Sequence, residues 1–211
     1  MSAARPVIRR DPEKNRGRIL AAALEEFARY GLGGARVDRI AARAGANKRM
    51  LYYYFGNKEG LFLAVLESRY AHIRRAELGL RLGALDPVEG IRRLIAFTWN
   101  YFLKHPEFLT LLNSENLHRA RHLRQSRQIA AMHSPMVATL RELLERGARA
   151  DDFRRGVDPV QLYISIAALG YFYLSNRYTL STIFEIDLVS ARNKVRRLEH
   201  MTGLVLGYLR K

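Results

Sequence analysis

The segment that decides the fold runs from Arg36 to Phe55 and reads Arg36-Val-Asp-Arg-Ile-Ala-Ala-Arg-Ala-Gly-Ala-Asn-Lys-Arg-Met-Leu-Tyr-Tyr-Tyr-Phe55. Its apolar residues recur at helical spacing on both sides of Gly45, which ends the first stretch, and Asn47 is a suitable N-cap for the second. Two short helices joined by a tight turn that contains glycine have the dimensions of a helix-turn-helix. The sequence therefore predicts this motif over about residues 36–55.

The second of these helices carries side chains suited to reading DNA. Lys48 and Arg49 stand at its N-terminal end, where such side chains reach guanine N7 and O6 in a major groove. The hydroxyls of the run Tyr52–Tyr54 can donate to phosphate oxygens, and Lys58 can bind another phosphate from the start of the next helix. An aromatic run is also typical of a helix that is partly buried, so packing in a core stays open for Tyr52 and Tyr54.

The rest of the chain predicts helices and no strand. Apolar residues from Ile19 to Tyr30 form a helical stripe, and Asp86-Pro87 and Asp158-Pro159 each begin a helix with an N-cap followed by proline. Further helical stretches are predicted at about 107–122, 135–148, 159–178 and 188–209. We expect an all-α fold of about nine helices, with a three-helix helix-turn-helix domain over residues 1–60 and a larger helical bundle over residues 61–211.

Composition excludes several classes of protein. The chain has 211 residues, 48% of them hydrophobic, which is enough for a packed core. It contains no cysteine, so disulfides, thiolate metal sites and cysteine nucleophiles are excluded. We find neither a secretory signal in the first ten residues nor a membrane-spanning run, so we expect a cytoplasmic location. The net charge of +16 suits a polyanionic partner, although arginines that merely cover helix faces would also produce it.

Residues from about 16 to 65 resemble the DNA-binding domain of TetR-family transcriptional regulators. The matching positions are Ile19-Leu-Ala-Ala-Ala-Leu-Glu-Glu-Phe27, Gly31, Val37, Ile40-Ala41, Ala44-Gly45, Leu51-Tyr-Tyr-Tyr-Phe55, Lys58-Glu59 and Leu61. The resemblance implies base contacts at Lys48, Arg49 and Tyr53, and phosphate contacts at Tyr52, Tyr54, Lys58, Arg36 and Val37. Arg39 and Asn47 complete the set of predicted DNA-binding residues.

Two departures from the family pattern bear on operator sequence. The family usually has threonine or serine where Arg36 and Val37 stand, so a cap for this helix must come from elsewhere. The family's frequent histidine in the aromatic run is Tyr54 here. We expect DNA binding to be kept, with the operator sequence left open.

The resemblance also implies an effector domain in the second part of the chain. TetR-like proteins commonly enclose a small-molecule site among the middle helices, although aromatic and methionine stripes are also typical of plain core. The predicted pocket residues are Trp99, Phe102, Met132, Met136 and Phe172, with Asn113 and Asn176 as polar groups. Family members commonly form homodimers through the last two helices, where the predicted interface residues are Ile164, Ala168, Tyr171, Val195, Leu198, Thr202, Val205 and Leu209.

The expected function is a homodimeric repressor that a small-molecule ligand releases from a palindromic operator. An activator or a ligand-retained repressor of the same fold stays open, as does a protein that coats DNA or a membrane surface by charge alone. We expect neither an enzyme nor a cofactor, because no nucleophile motif or HExxH motif occurs. Glu115, His118 and His122 have the spacing of metal ligands, but neighbouring arginines would oppose a cation, so a solvated basic helix face is predicted there.

Overall fold

The computed structural model describes residues 12–210, except the side chains of Ala130, His133 and Ser134. These residues form ten α-helices and two short 3-10 turns, with no strand. The helices are α1 (Pro12–Gly34), α2 (Val37–Ala44), α3 (Lys48–Phe55), α4 (Lys58–Leu78), α5 (Pro87–Lys104), α6 (Pro106–Leu117), α7 (Arg127–Arg149), α8 (Pro159–Ser175), α9 (Arg177–Phe184) and α10 (Ala191–Leu209). The predicted all-α class is confirmed. The part of the predicted first domain that precedes residue 12 lies outside the described residues.

The expected count of about nine helices is too low, because the stretch predicted at 159–178 is divided. Helix α8 ends at Ser175, and Asn176 leaves the helical backbone with ψ 14°. The side-chain amide of Asn176 donates to the carbonyl of Phe172 at 2.9 Å, and a separate short helix, α9, starts at Arg177. The helix predicted at 135–148 also begins earlier, at Arg127, where the Ser126 hydroxyl caps it by accepting from the amide of Ile129 at 3.3 Å.

The predicted helix starts are confirmed by the caps that the structure contains. Asn47 Oδ1 accepts from the amide of Met50 at 3.2 Å and begins α3. Asn57 begins α4 in the same way, and Asp86 and Asp158 each cap a helix whose first residue is proline. These short polar side chains satisfy amides that a helix start leaves without an intrahelical acceptor.

Two hydrophobic cores are built along α4. The first half of this helix, with Phe62 and Leu66, packs with α1, α2 and α3. Its second half, with Ile73, packs in a larger core formed mainly by α5, α7, α8 and α10. Helix α6 contributes to both cores, since its Leu111 belongs to the first and its Leu109 to the second. None of the helices in residues 12–210 is both long and apolar enough to cross a membrane.

The connection between α6 and α7 overturns the prediction of a solvated basic face. Helix α6 ends at Leu117, and Arg119 and Ala120 turn the chain through positive φ angles of 55° and 57°. Glu115 and His122 are buried, with 1% and 3% of their surfaces exposed. Glu115 and His122 therefore do not lie on one solvated helix. The chain turns after α6, and His122 packs against Glu115.

Glu115 accepts three hydrogen bonds in this buried cluster. One oxygen accepts from the backbone amides of His122 and Leu123, at 2.8 and 2.9 Å, and the other from His122 Nδ1 at 2.6 Å. His118 turns away and donates to the carbonyl of Ser114. Within the described part of the chain, no group of three histidine, aspartate or glutamate side chains is placed to hold a metal ion. We call Glu115 and His122 the Glu115–His122 clasp.

Candidate DNA-binding site

Helix α3 buries one face and exposes the other. Leu51 is buried in the first core, with 2% of its surface exposed, and Tyr54 packs half-buried against the same core. On the outer face Tyr53 is 83% exposed and Tyr52 49% exposed. Arg49 is exposed too, and its side chain makes no hydrogen bond or ion pair within residues 12–210. The structure therefore brings Arg49, Tyr52 and Tyr53 onto an open surface and turns Tyr54 inward.

Lys48 and Asn47, at the start of α3, already have partners within the protein. The ammonium group of Lys48 pairs with the carboxylate of Asp38 on α2, and both side chains remain more than half exposed. Asn47 uses its side-chain oxygen as the helix cap described above. The pair with Asp38 ties the N-terminal end of α3 to α2 and keeps the lysine beside the exposed face of α3.

A buried carboxylate from α1 organises the start of α2. Glu26 is 0% exposed, and its Oε1 accepts from the backbone amide of Arg36 at 3.0 Å and from Arg39 Nε at 2.6 Å. Glu26 thus holds the amide of Arg36, the residue before α2, whereas within residues 12–210 no side chain caps the first-turn amides of this helix. Burial opposes ionisation of Glu26, but the hydrogen bonds from Arg39 and from the Arg36 amide outweigh it and hold the pKa of this carboxyl below its ordinary value.

Arg39 is held by several protein groups at once. Besides its bond to Glu26, its Nη2 donates to the carbonyl of Gly34 at 2.9 Å, and its guanidinium lies 4.3 Å from the ring centroid of Tyr30. These contacts use the planar donors and the flat face of the guanidinium together. The structure therefore places this predicted DNA-binding residue in the internal bonding of the domain, with part of its side chain still exposed.

Lys58 lies half-buried in the first turn of α4. Its ammonium group is 3.4 Å from the carbonyl oxygen of Ala35, two residues before the start of α2. Arg36 is exposed and Val37 is half-buried at the start of α2. The starts of α2 and α4 are therefore neighbours, and together with α3 they bring the predicted residues around one surface.

Sequence reasoning missed Glu26 and Asp38 as residues of this site. The position of Glu26 carried a usable signal, because it is on the same helical face as Ala22 and Ala23, four and three residues earlier. A carboxylate on an apolar stripe indicates a buried partner. Asp38 gave no comparable signal, since its pairing depends on how α2 and α3 cross.

The comparisons with known proteins agree with this geometry. A family model described as "Bacterial regulatory proteins, tetR family" matches residues 19–65. A second, described as "Tetracyclin repressor-like, C-terminal domain", matches residues 87–205, which is more than half of the chain. The chain belongs to the TetR family. TetR-family members are DNA-binding transcriptional regulators, so the helix-turn-helix is the DNA-binding element of this protein.

Relatives of this TetR-family protein include named repressors. It is 42% identical over 199 residues to the HTH-type transcriptional repressor NicS of Pseudomonas putida, covering 94% of each chain. It is 41% identical over 147 residues to the HTH-type transcriptional repressor SCO4008 of Streptomyces coelicolor, covering 67% of this chain and 71% of that one. Among solved structures, the regulator FadR from Bacillus subtilis, in complex with stearoyl-CoA, has a similar fold with a TM-score of 0.67 at 17% identity, covering 92% of this chain and 98% of that one.

The residues predicted to line an effector pocket lie in different surroundings. Trp99, Phe102 and Met136 are buried in the larger core of this TetR-family protein, and Met132 is half-buried. Phe172 is 60% exposed on α8. Asn113 is exposed and accepts a hydrogen bond from the hydroxyl of Tyr171, and the side chain of Asn176 is used at the end of α8.

An apolar groove lies between α8 and α10. It has a volume of about 460 Å³ and is lined by Leu162, Ser165, Ala168, Leu169, Phe172, Arg197, Leu204, Val205 and Tyr208. Arg197 is its charged residue; Nη2 donates to the carbonyl of Leu169 at 2.7 Å, and the guanidinium lies 4.8 Å from the ring centroid of Tyr173. Burial lowers the pKa of this arginine.

The predicted dimer residues on α8 and α10 divide into two groups. Ile164 and Val195 are 52% and 58% exposed, and Ala168 is also exposed, so these three are available to a second copy. Tyr171, Leu198 and Thr202 are half-buried. Val205 and Leu209 are 4% and 0% exposed because they pack in the protein's own core.

A buried polar cluster joins α4 to α8. Arg74 Nη1 lies 2.6 Å from an oxygen of Glu77, and Arg74 Nη2 donates to the hydroxyl of Tyr163 at 2.6 Å. Arg74 Nε has no hydrogen-bond partner within residues 12–210. Burial raises the pKa of Glu77 to about 7, although Arg74 and the hydroxyl of Tyr163 act in the opposite direction. Sequence reasoning missed this cluster.

Proposed function

We propose that this TetR-family protein is a cytoplasmic, homodimeric repressor that binds a palindromic operator and is released by a small-molecule effector. The observation that carries the proposal is the open face of α3, where Arg49, Tyr52 and Tyr53 project and where no acid among residues 12–210 is bonded to Arg49. The naming of two relatives as repressors supports the direction of regulation. A symmetric dimer would present two such helices to successive major grooves, about 34–36 Å apart.

The proposed roles within the site follow from exposure and partners. Arg49 and Tyr53 contact base edges, since they are exposed on α3. Lys48 joins them after exchanging Asp38 for a base or a phosphate. Tyr52, Lys58 and Arg36 contact phosphates. The remaining predicted residues, Val37, Arg39, Asn47 and Tyr54, support the site mainly by packing, by the contact with Glu26 or by capping α3.

The division of labour along the chain is part of the proposal. Residues 1–60 contain the DNA-binding domain, and residues 61–211 contain the effector-binding and dimerisation domain. Leu61, Phe62, Val65 and Leu66 of α4 complete the core of the first unit, so α4 belongs structurally to both. The effector would enter the larger core by moving some of its aromatic side chains. The exposed residues of α8 and α10 would face the second copy.

The experiment compares two substitutions on two duplexes. A preferred duplex is selected from random DNA, and a scrambled duplex of the same composition serves as the non-specific reference. Arg49→Ala is expected to weaken binding to the preferred duplex by about 5- to 150-fold and to relax base preference at one position of each half-site. Lys58→Ala is expected to weaken both duplexes alike and to reduce the salt slope of binding by about one.

The matched control is Arg155→Ala, which removes an exposed arginine from the connection between α7 and α8. It should leave the affinity for the preferred duplex within about twofold. Equal affinities of wild type and Arg49→Ala for both duplexes would contradict the assignment of α3. A wild-type protein without preference between the duplexes would point instead to binding by charge alone. The expectations of no enzymatic activity and no cofactor stay predictions.

A further inference from the structure

The segment from Arg177 to Val189 forms a short helix and turn with an apolar outer surface, which we call the α9 arm. Helix α9 itself has no buried residue. Tyr178, Ile183 and Phe184 are 72%, 68% and 63% exposed, and Ile186 and Val189 are 46% and 39% exposed. Contiguous exposed apolar surface of this kind is typical of an interaction site.

The α9 arm is bonded firmly to the helices beside it. The hydroxyl of Tyr173 on α8 donates to the carbonyl of Leu188 at 3.0 Å, and Leu188 is buried. The amide of Leu188 donates to the hydroxyl of Ser181 at 3.3 Å, which closes the turn after α9. The side-chain amide of Asn193 on α10 donates to the carbonyl of Asp187 at 2.7 Å. The apolar side chains therefore project from a segment held at several points.

The charged residues of the α9 arm restrict which kind of molecule can bind to its apolar surface. The arm begins with Arg177, whose guanidinium lies 4.4 Å from the ring centroid of Tyr178, but from Tyr178 to Val189 it contains no lysine or arginine, although the chain as a whole has 36 of them. The charged side chains in this stretch are Glu185 and Asp187, both exposed. An acidic, apolar surface disfavours DNA phosphates and anionic lipid, and it favours a partner with excess positive charge. The chain itself is such a partner, with its net charge of +16 and with Arg192 and Arg196 exposed at the start of α10.

The exposed apolar surface continues from the α9 arm onto α8. Phe172, three residues before the last residue of α8, is 60% exposed and lines the groove between α8 and α10. Five arm side chains at these exposures offer on the order of 500 Å² per protomer. A standard stable interface buries about 800 Å² on each partner. The arm alone could therefore supply more than half of the surface that a stable dimer needs.

We propose that the α9 arm packs against a second copy of the chain and is a third element of the dimer interface, beside α8 and α10. The inference rests on the homodimer of the proposed function. The inference goes beyond a homodimer as such, because it assigns a large share of the dimer's stability to α9, a helix that has no buried residue in the single chain. It also gives Glu185 and Asp187 a role, since they reduce the repulsion between two strongly basic protomers.

The test measures dimer dissociation by sedimentation equilibrium. The double variant Ile183→Ser, Phe184→Ser removes the two most apolar exposed side chains of the arm and should raise the dimer dissociation constant at least about tenfold. The matched control is Leu78→Ser, which removes an apolar side chain that is 61% exposed at the other end of the bundle, next to the Glu77–Tyr163 contact. It should leave the constant within about twofold. Circular dichroism verifies that each variant is folded.

A spin label on the α9 arm reports contact with the second copy without removing an apolar side chain from the interface. Because the chain has no cysteine, Thr182→Cys gives a single thiol on the exposed side of α9 for a nitroxide spin label. The label should become immobilised when the protein dimerises, whereas a label at Leu78→Cys should stay mobile. A wild-type dimer that the double variant leaves intact, with a mobile label at position 182, overturns the role of the arm while the homodimer stands. A wild-type protein that remains monomeric at all concentrations overturns the homodimer itself.

Discussion

Replacing Glu26 by glutamine should destabilise the protein far more than the same change at its neighbour Glu25. Glu26 is fully buried and accepts charge-assisted bonds from Arg39 and from the amide of Arg36. Hydrogen bonds to a charged group contribute about 1.5–3 kcal/mol each, and a neutral amide keeps roughly half of that. Because Arg39 is partly exposed and regains water, the expected loss for Glu26→Gln is about 2 kcal/mol in the free energy of unfolding.

Glu25→Gln is the matched control on the same helix turn. Its carboxylate pairs with Arg43 at 3.2 Å, and it is 67% exposed, so its loss should cost less than about 0.5 kcal/mol. Urea unfolding at pH 7 and equal protein concentration measures both changes. The pKa of Glu26 lies below its ordinary value of 4.5, so the stability contributed by its ionised form is present above that pH. This contribution is lost as the pH falls through the folded-state pKa.

The difference between wild type and Glu26→Gln should therefore shrink as the pH is lowered from about 7 toward about 3. If Glu26→Gln were as mild as Glu25→Gln at pH 7, the reasoning from burial would be refuted. A difference that grew on acidification would refute the sign of the pKa shift. Since Glu26 also holds the start of α2, a loss of affinity for both the preferred and the scrambled duplex should accompany the loss of stability.

Three further outcomes are expected. Gly60→Ala would bring a Cβ against the carbonyl oxygen at the end of α3, so it should lower DNA affinity at least about tenfold by displacing α3 from α4; unchanged affinity in a filter-binding assay would refute this. Glu115→Ala leaves the buried imidazole of His122 and two amides unpaired, so it should cost about 3–5 kcal/mol in urea unfolding, against less than about 1 kcal/mol for Glu107→Ala at a half-buried pair. Similar losses for the two would show that the clasp adds no stability. Burial raises the pKa of Glu77 from 4.5 to about 7, so its contribution to stability is complete below pH 4.5 and is lost as the pH rises through about 7. Glu77→Gln should accordingly be more stable relative to wild type at pH 8 than at pH 5, by about 2–3 kcal/mol in thermal unfolding, and a parallel pH dependence of the two proteins would exclude this.

Local signals made much of the fold predictable. Asn47, Asp86 and Asp158 marked helix starts because a short polar side chain satisfies the first amides whatever the tertiary context. The helix-turn-helix was also predictable, because the apolar residues on both sides of Gly45 recur at helical spacing and this pattern can be read without knowing the tertiary structure. The division between α8 and α9 was missed because it depends on Asn176 bonding back to the carbonyl of Phe172, and a continuous apolar run does not reveal that bond.

The sequence predicted where the DNA-binding residues lie, but not which protein groups they bond to. Lys48, Arg39 and Lys58 are near the expected surface, yet each already bonds to a protein group: Asp38, Glu26 or a backbone carbonyl. These pairings arise between helices that are separated in sequence. A pattern along one helix predicts which face a cation occupies, but the opposing acid is set by how the helices cross.

Helix α6 shows how the two parts of the molecule are joined. Leu111 packs in the core of the DNA-binding unit, whereas Phe108 and Leu109 pack in the larger core. The Glu115–His122 clasp holds the segment after α6 so that the His122 ring lies edge-on to Phe62, at 5.2 Å between centroids. Close-packed cores do not yield by small amounts at one point alone. An effector that shifts α6 within the larger core would therefore also disturb the core of the DNA-binding unit through Leu111, so the geometry of the DNA contact can change without that contact being touched directly.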